Sequence, residues 1–102
     1  MSKSKSKLFT IKEIKSLCGR VAKKHGVNKV YLFGSYASGK ADGDSDIDIC
    51  IEKGDIKTLL QLSDFCIDIS KVFGKKVDVV TVKGMDRNFR NSIKNNLVEI
   101  YG

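Results

Sequence analysis

Apolar residues recur every three or four positions near the start of the chain, which predicts an amphipathic helix. Thr10 is placed to cap this helix, with Glu13 three residues on as the second half of a capping box. The helix is expected to end at His25, because Gly26 can adopt the left-handed conformation that closes a helix. Its apolar stripe comprises Ile11, Ile14, Leu17, Cys18 and Val21.

The same spacing returns in two later stretches. One helix is predicted from a cap at Asp55 to about Phe73, where Gly74 follows, and a last helix from about Asp86 to Tyr101. The stripe of the first is Leu59, Leu62, Cys66, Ile69 and Val72-Phe73, and that of the second is Phe89, Ile93, Leu97 and Ile100. Leu60, Phe65 and Ile67 fall outside the first stripe, so they either pack under other helices or offer apolar surface to a partner.

Three shorter stretches have strand character, at residues 29–33, 46–52 and 76–82. In the second stretch, three isoleucines alternate with polar or smaller residues, so Asp46, Asp48 and Cys50 share the opposite face. Residues 34–39, between the first two strands, are small and polar and fit at most one helical turn. Residues 41–45 form a loop rich in Gly and Asp.

The order of these elements predicts an α/β (α+β) fold, with helices packed on one face of a small three-stranded mixed sheet. A helix joins the second and third strands, which favours a parallel pair with a right-handed crossover. The short link between the first and second strands favours antiparallel neighbours.

Composition narrows the range of functions. The chain has 102 residues, of which 41% are hydrophobic, which predicts one domain over residues 10–102 after a disordered basic tail over residues 1–9. Its net charge of +7 indicates an anionic ligand or partner. The few aromatic residues are not interleaved with basic ones, so a nucleic-acid stacking surface is not favoured. Neither a membrane span nor a secretory signal is evident, and three scattered cysteines without metal-ligand spacing predict reduced thiols in the cytoplasm.

The predicted topology gathers three carboxylates at one edge of the sheet. Parallel strands start at the same end, so Asp46 and Asp48 of the second strand are expected near Asp78 of the third. The first strand runs the other way and ends at the same edge with the Gly34-Ser35 turn. Taken singly, each feature also fits an exposed strand face or an ordinary turn, and only their combination indicates a site.

Such a cluster has a chemical use. Neighbouring carboxylates raise one another's pKa unless a cation lies between them, and an open array of hard oxygen ligands suits Mg²⁺. Two such ions can stabilise the attacking and leaving oxygens of a phosphoryl-type displacement. Gly34 permits close approach of a triphosphate, Ser35 adds a hydroxyl donor, and the turn offers backbone N–H groups.

These residues resemble a known signature. Gly34-Ser35, ten intervening residues, Asp46-x-Asp48 and the later strand residue Asp78 resemble the DNA polymerase β-type nucleotidyltransferase superfamily. The stretch FGSYASGKADGDSDIDICI is most similar to its minimal nucleotidyltransferase group. The resemblance implies a polymerase β palm-like fold and an enzyme that transfers a nucleoside monophosphate, AMP from ATP, to a hydroxyl group.

The resemblance also implies roles for individual residues. Asp46, Asp48 and Asp78 would be the catalytic residues and would bind two Mg²⁺ ions. The nucleotide-binding residues would be Gly34, Ser35, Ser45 and Lys40. The group commonly has arginine where this chain has Ser38, and Lys40 or Lys29 could supply some of the missing charge.

Relatives of this size imply a protein partner. They resemble the nucleotidyltransferase halves of two-gene systems whose other half is a helical HEPN-type protein, often a ribonuclease toxin. The nucleotidyltransferase then acts as an antitoxin, in some pairs by adding AMP to a tyrosine of the partner. Two alternatives remain open: an antitoxin that acts by contact alone, and transfer to a small molecule such as an antibiotic.

Overall fold

The computed structural model describes residues 8–81 and 97–102. Three helices and four strands lie in these ranges. In chain order they are α1 (Ile11–His25), β1 (Lys29–Phe33), α2 (Gly34–Ser38), β2 (Ile47–Glu52), α3 (Leu59–Phe73), β3 (Val77–Thr81) and β4 (Val98–Tyr101).

The first helix has the ends that its sequence predicts. The amide of Glu13 donates to Thr10 Oγ1 at 3.1 Å, and the amide of Thr10 donates to Glu13 Oε1 at 2.9 Å. This reciprocal pair satisfies two N–H groups that the helix itself leaves unbonded. At the other end Gly26 is left-handed, with φ 72°. The buried residues of α1 are Ile14, Cys18, Val21 and Ala22.

The third helix begins later than predicted. Thr58, not Asp55, is its N-cap, because Gln61 stands three residues on and completes a capping box with it. Asp55 lies in the preceding turn, where its amide donates to the carbonyl of Gly26 at 2.9 Å. The helix therefore starts at Leu59, and the predicted cap at Asp55 is wrong.

The buried face of α3 is also rotated from the predicted stripe. Its buried residues are Phe65, Ile69 and Phe73, whereas Leu59 is 84% exposed. Phe65 has the larger apolar surface and occupies the core position, which leaves its neighbour Cys66 only half-buried. Of the residues outside the predicted stripe, Phe65 packs inside, while Leu60 and Ile67 are exposed.

The sheet is mixed, and the described residues give it four strands rather than the three predicted. Their order is β3-β2-β1-β4. The parallel pairing of β2 with β3 and the antiparallel pairing of β1 with β2 confirm the predicted connections. The fourth strand pairs antiparallel with β1.

The prediction of a helix reaching Tyr101 is wrong over Val98–Tyr101. These residues alternate in burial, with Ile100 buried and Glu99 exposed, and they satisfy the otherwise open edge of β1. The part of that prediction over 86–96, with Phe89 and Ile93, lies outside the described residues.

The core lies between the sheet and helices α1 and α3. From the sheet it takes Val30, Leu32, Ile47, Ile49 and Ile51. Phe9, which the sequence assigned to the tail, is buried and meets the ring of Phe73 edge-on at 5.0 Å. The folded part thus begins before Thr10, and the prediction for residues 1–7 lies outside the described residues.

Within residues 8–81 and 97–102, no helix is long and apolar enough to cross a membrane. Cys18, Cys50 and Cys66 are not joined in disulfides, and the first two are buried. Burial raises the pKa of the Cys18 thiol to about 12.

Candidate active site

Asp48 lies at the centre of the site. In the sheet register it pairs with Phe33 of β1 on one side and with Asp78 of β3 on the other. Gly34 directly follows Phe33 and begins α2, so Gly34, Asp48 and Asp78 form a row from the end of β1 across the two neighbouring strands. The topology that places them there is the one that the strand directions predicted.

Gly34 approaches Asp48 more closely than any other residue type could. Its φ is +75°, a conformation that residues with a Cβ rarely adopt. A Cβ at this position would overlap Asp48 Oδ2 and would lie 3.2 Å from Asp48 Cγ. The glycine thus serves both the turn into α2 and the contact with the carboxylate.

Burial and the neighbouring carboxylates raise the pKa of Asp48. The pKa of Asp48 is raised to about 6, chiefly because burial removes water from its carboxyl group. The negative charge of Asp78, a hydrogen bond with the Asp78 carboxyl group and the charge of Asp46 raise it further, while Lys76 lowers it. Neighbouring carboxylates repel each other when both are charged, so a cation beside them would stabilise their charged forms.

Lys76 is a site residue that the sequence analysis missed. Its Nζ lies 3.6 Å from Asp78 Oδ1, at the start of β3. The sequence held a signal for it, because residues two apart in a strand share a face. Lys76 therefore stands on the same side as Asp78, and it forms an ion pair with this predicted carboxylate.

Asp46 and Ser45 lie at the entry to β2. Asp46 is exposed and precedes the first strand residue, Ile47. Ser45 has its hydroxyl engaged within the loop, where it accepts from the amide of Asp42 at 3.0 Å and lies 3.3 Å from Asp42 Oδ1. The structure thus gives Ser45 a part in holding the loop that leads to Asp46.

The second helix carries the remaining nucleotide-binding candidates. The carbonyl of Ser35 accepts from the amide of Lys40 at 2.9 Å and from Ser38 Oγ at 3.2 Å. Lys40 is exposed, just after the helix. Lys29, in contrast, begins β1 at the end opposite Gly34, which is too far along the strand for it to supply charge at Gly34 and Ser35.

The site has the ligand types that bind a divalent cation, but their side chains are not arranged around one position. In the part of the chain that the structure describes, no group of three or more His, Cys, Asp or Glu side chains is arranged to hold a metal ion. Asp48 and Asp78 are in contact, while Asp46 is exposed two residues away on the same side of the strand. All three offer hard oxygen ligands, and a cation beside Asp48 and Asp78 would relieve the repulsion between them.

The chain matches a known family over most of its length. A family model described as polymerase beta, nucleotidyltransferase, matches residues 12–102. A protein of Methanocaldococcus jannaschii, provisionally named a protein adenylyltransferase, is 38% identical over 92 residues, which are 90% of this chain and 99% of that protein.

Solved structures share the fold. A structure provisionally described as a minimal nucleotidyltransferase superposes with a TM-score of 0.73 at 25% identity, covering 88% of this chain and 95% of the other. A tri-AMPylated Shewanella oneidensis HEPN toxin in complex with an MNT antitoxin gives a TM-score of 0.69 at 16% identity, covering 91% of this chain and 73% of the matched one. At that identity the second likeness shows the fold alone.

Proposed function

This chain belongs to the polymerase β nucleotidyltransferase family, and we propose that it transfers AMP from ATP to a tyrosine hydroxyl of a HEPN-type partner protein, as an antitoxin. The observation that carries the proposal is the row formed by Gly34, at the start of α2, with Asp48 of β2 and Asp78 of β3. That row combines a close-approach turn for phosphates with acidic ligands for a metal.

The phosphates of ATP would lie along the turn into α2. Phe33, which precedes the helix, has no side-chain acceptor, so it does not cap the first N–H groups. Gly34 and Ser35 offer these groups and a hydroxyl to the β- and γ-phosphates. Lys40, at the far end of α2, and Ser45, through the loop it holds, complete the proposed nucleotide site.

Asp46, Asp48 and Asp78 would hold two Mg²⁺ ions, which when bound supply charge neutralisation for the triphosphate and acidify the acceptor hydroxyl. Asp78 would receive the proton of that hydroxyl. The hydroxyl oxygen then forms a bond to the α-phosphorus, and the bond to pyrophosphate breaks. AMP remains on the acceptor. The ammonium group of Lys76 lies beside Asp78, the carboxylate that would take the proton.

Several observations support a protein acceptor. The related Methanocaldococcus protein carries the name of a protein adenylyltransferase, and one of the structural neighbours is bound to an AMPylated HEPN toxin. Leu60 and Ile67 are 76% and 58% exposed on α3, and large apolar side chains exposed on one element are typical of a surface that contacts another protein.

We also propose a cytoplasmic location. Cys18, Cys50 and Cys66, which are not joined in disulfides, support a reducing compartment.

A label-transfer experiment tests the proposal. The chain is incubated with Mg²⁺, a HEPN-type protein from the same organism, and ATP labelled in the α- or the γ-phosphate. We expect label on the HEPN-type protein from the α-position only, and none with Asp46→Asn, Asp48→Asn. Asp55→Asn, Asp64→Asn is the matched control, because it removes two exposed carboxylates near Lys24 and His25, away from the site.

The same variants separate the alternatives. Transfer that survives in the Asp46→Asn, Asp48→Asn protein contradicts the proposed site. If this variant transfers nothing yet suppresses the partner's activity as well as the wild type does, contact alone accounts for the antitoxin action. Ser38 is the feature that favours that outcome, since its hydroxyl donates to the carbonyl of Ser35 within α2 and it carries no positive charge for a phosphate.

A further inference from the structure

Lys75 joins three parts of the chain that meet at the candidate site. It lies between α3 and β3, directly before Lys76. Its ammonium donates to the carbonyl of Gly43 at 3.0 Å, in the loop that leads to Asp46, and to Tyr36 Oη in α2 at 3.3 Å. One side chain thus links the segment before Asp78 to the helix that carries Ser35 and to the loop that carries Ser45.

Aromatic rings fix the position of this ammonium group. It lies 5.6 Å from the ring centre of Tyr36 and 6.0 Å from that of Phe9. Phe9 is itself held edge-on by Phe73, at the end of α3. A cation between two ring faces is attracted to both, more strongly where water is partly excluded, as it is here.

The loop over residues 41–46 has bonds of its own and contacts outside itself. Asp42 and Ser45 bond each other, and the amide of Asp44 donates to Asp42 Oδ1 at 2.9 Å. Ala41, at the start of the loop, packs against the core. The bond from Lys75 to the carbonyl of Gly43 adds an anchor further along the loop, closer to Ser45 and Asp46.

We propose that Lys75 is a positioning residue, which sets the loop over residues 41–46 and helix α2 at the spacing that nucleotide binding requires. It touches none of the reacting groups. Its effect on catalysis rests on the proposed function, whereas its effect on the loop does not. Asp48 and Asp78 are held by the ladder between β2 and β3, so they keep their places without it.

Replacement by methionine keeps the length of the side chain and removes its charge and donors. For Lys75→Met we expect the amides of Asp44 and Ser45 to exchange hydrogen about five to ten times faster, the loss typical of a single hydrogen bond at a partly buried site. The KM for ATP should rise by a similar factor, while kcat changes less than about threefold. Lys75→Arg, which keeps the charge and can donate, should recover most of both effects.

Lys71→Met is the matched control. Lys71 is an exposed lysine one turn earlier, in the last turn of α3, and its removal should leave exchange and KM at wild-type values. Tyr36→Phe deletes only the acceptor hydroxyl and should raise KM about twofold to threefold in the same direction. It also tests the proposal if Lys75→Met fails to fold.

Wild-type exchange and KM in Lys75→Met overturn the proposal, as does a fall in kcat with KM unchanged. If Lys75→Met does not fold, wild-type values in Tyr36→Phe overturn it. If the wild-type chain transfers no AMP, the proposed function fails, and hydrogen exchange alone then decides whether Lys75 holds the loop.

Discussion

Gly34 offers a sharp test of whether the turn into α2 and Asp48 form one site. Gly34 and Gly39 stand at the two ends of the same short helix, with φ of +75° and +80°. A Cβ at Gly34 would overlap Asp48 Oδ2 and lie 3.3 Å from Asp48 Cβ, whereas one at Gly39 would meet nothing within 4 Å. Alanine at either position therefore adds the same backbone strain, and only one adds a collision with the carboxylate.

The magnitudes separate the two variants. A left-handed alanine costs about 1 kcal/mol, which for a domain of this size lowers Tm by roughly 4–8 °C. Gly39→Ala should show that loss and little more. Gly34→Ala should lose a further 1–3 kcal/mol or so, because the crowded Asp48 must leave its rotamer or the turn must move.

Activity should separate them further. A displacement of about 1 Å at a reacting group can lower a rate by about a hundredfold. We expect a loss of this order for Gly34→Ala and a change of less than about threefold for Gly39→Ala, measured as initial rates of label transfer alongside thermal melts. Equal rates and equal Tm in the two variants would contradict this prediction, because they would show that a Cβ at Gly34 does not displace Asp48.

Three other predictions test separate parts of the structure. Thr58→Ala should lower the free energy of unfolding in urea by about 1 kcal/mol, and Asp55→Ala by clearly less; the reverse order would restore Asp55 as the cap. Asp48→Asn should stabilise the protein in EDTA at pH 7 by about 1–2 kcal/mol. A pKa raised from 3.8 to about 6 corresponds to about 3 kcal/mol, and about half of this is expected because water screens the partly exposed carboxyl group. Because the raised pKa means that the native state binds the proton more tightly, the wild type should gain stability as pH falls from about 6 to 4, and the variant should lack that gain. Ser38→Arg should lower the KM for ATP by about threefold to tenfold, and an unchanged KM would show that the missing guanidinium plays no part in binding.

Local signals explain why some elements could be predicted and others could not. The ends of α1 follow from Thr10, Glu13 and Gly26, which act on their own neighbours. The start of α3 was ambiguous, since Asp55 and Thr58 can both cap, and only Gln61, three residues after Thr58, completes a box. A helix was predicted where β4 lies because a short apolar pattern fits both periods, and the open edge of β1 decides between them.

The candidate site likewise contains residues that the sequence could predict and one that it could not. The row of Gly34, Asp48 and Asp78 follows from strand direction and the alternation of side chains, both of which the sequence carries. Lys76 could have been found by the same alternation. Lys75 could not, because its contact with Tyr36 spans 39 residues and depends on where the segment after α3 lies relative to α2. The catalytic and nucleotide-binding roles of these residues stay predictions.

The intact mass of the partner protein tests the central claim most directly. A HEPN-type protein from the same organism is incubated with this chain, ATP and Mg²⁺, and then weighed by mass spectrometry. We expect its mass to increase by whole adenylyl groups, and Asp46→Asn, Asp48→Asn to abolish the increase. An unchanged partner mass with the wild-type chain, under conditions in which the two proteins bind each other, would contradict it.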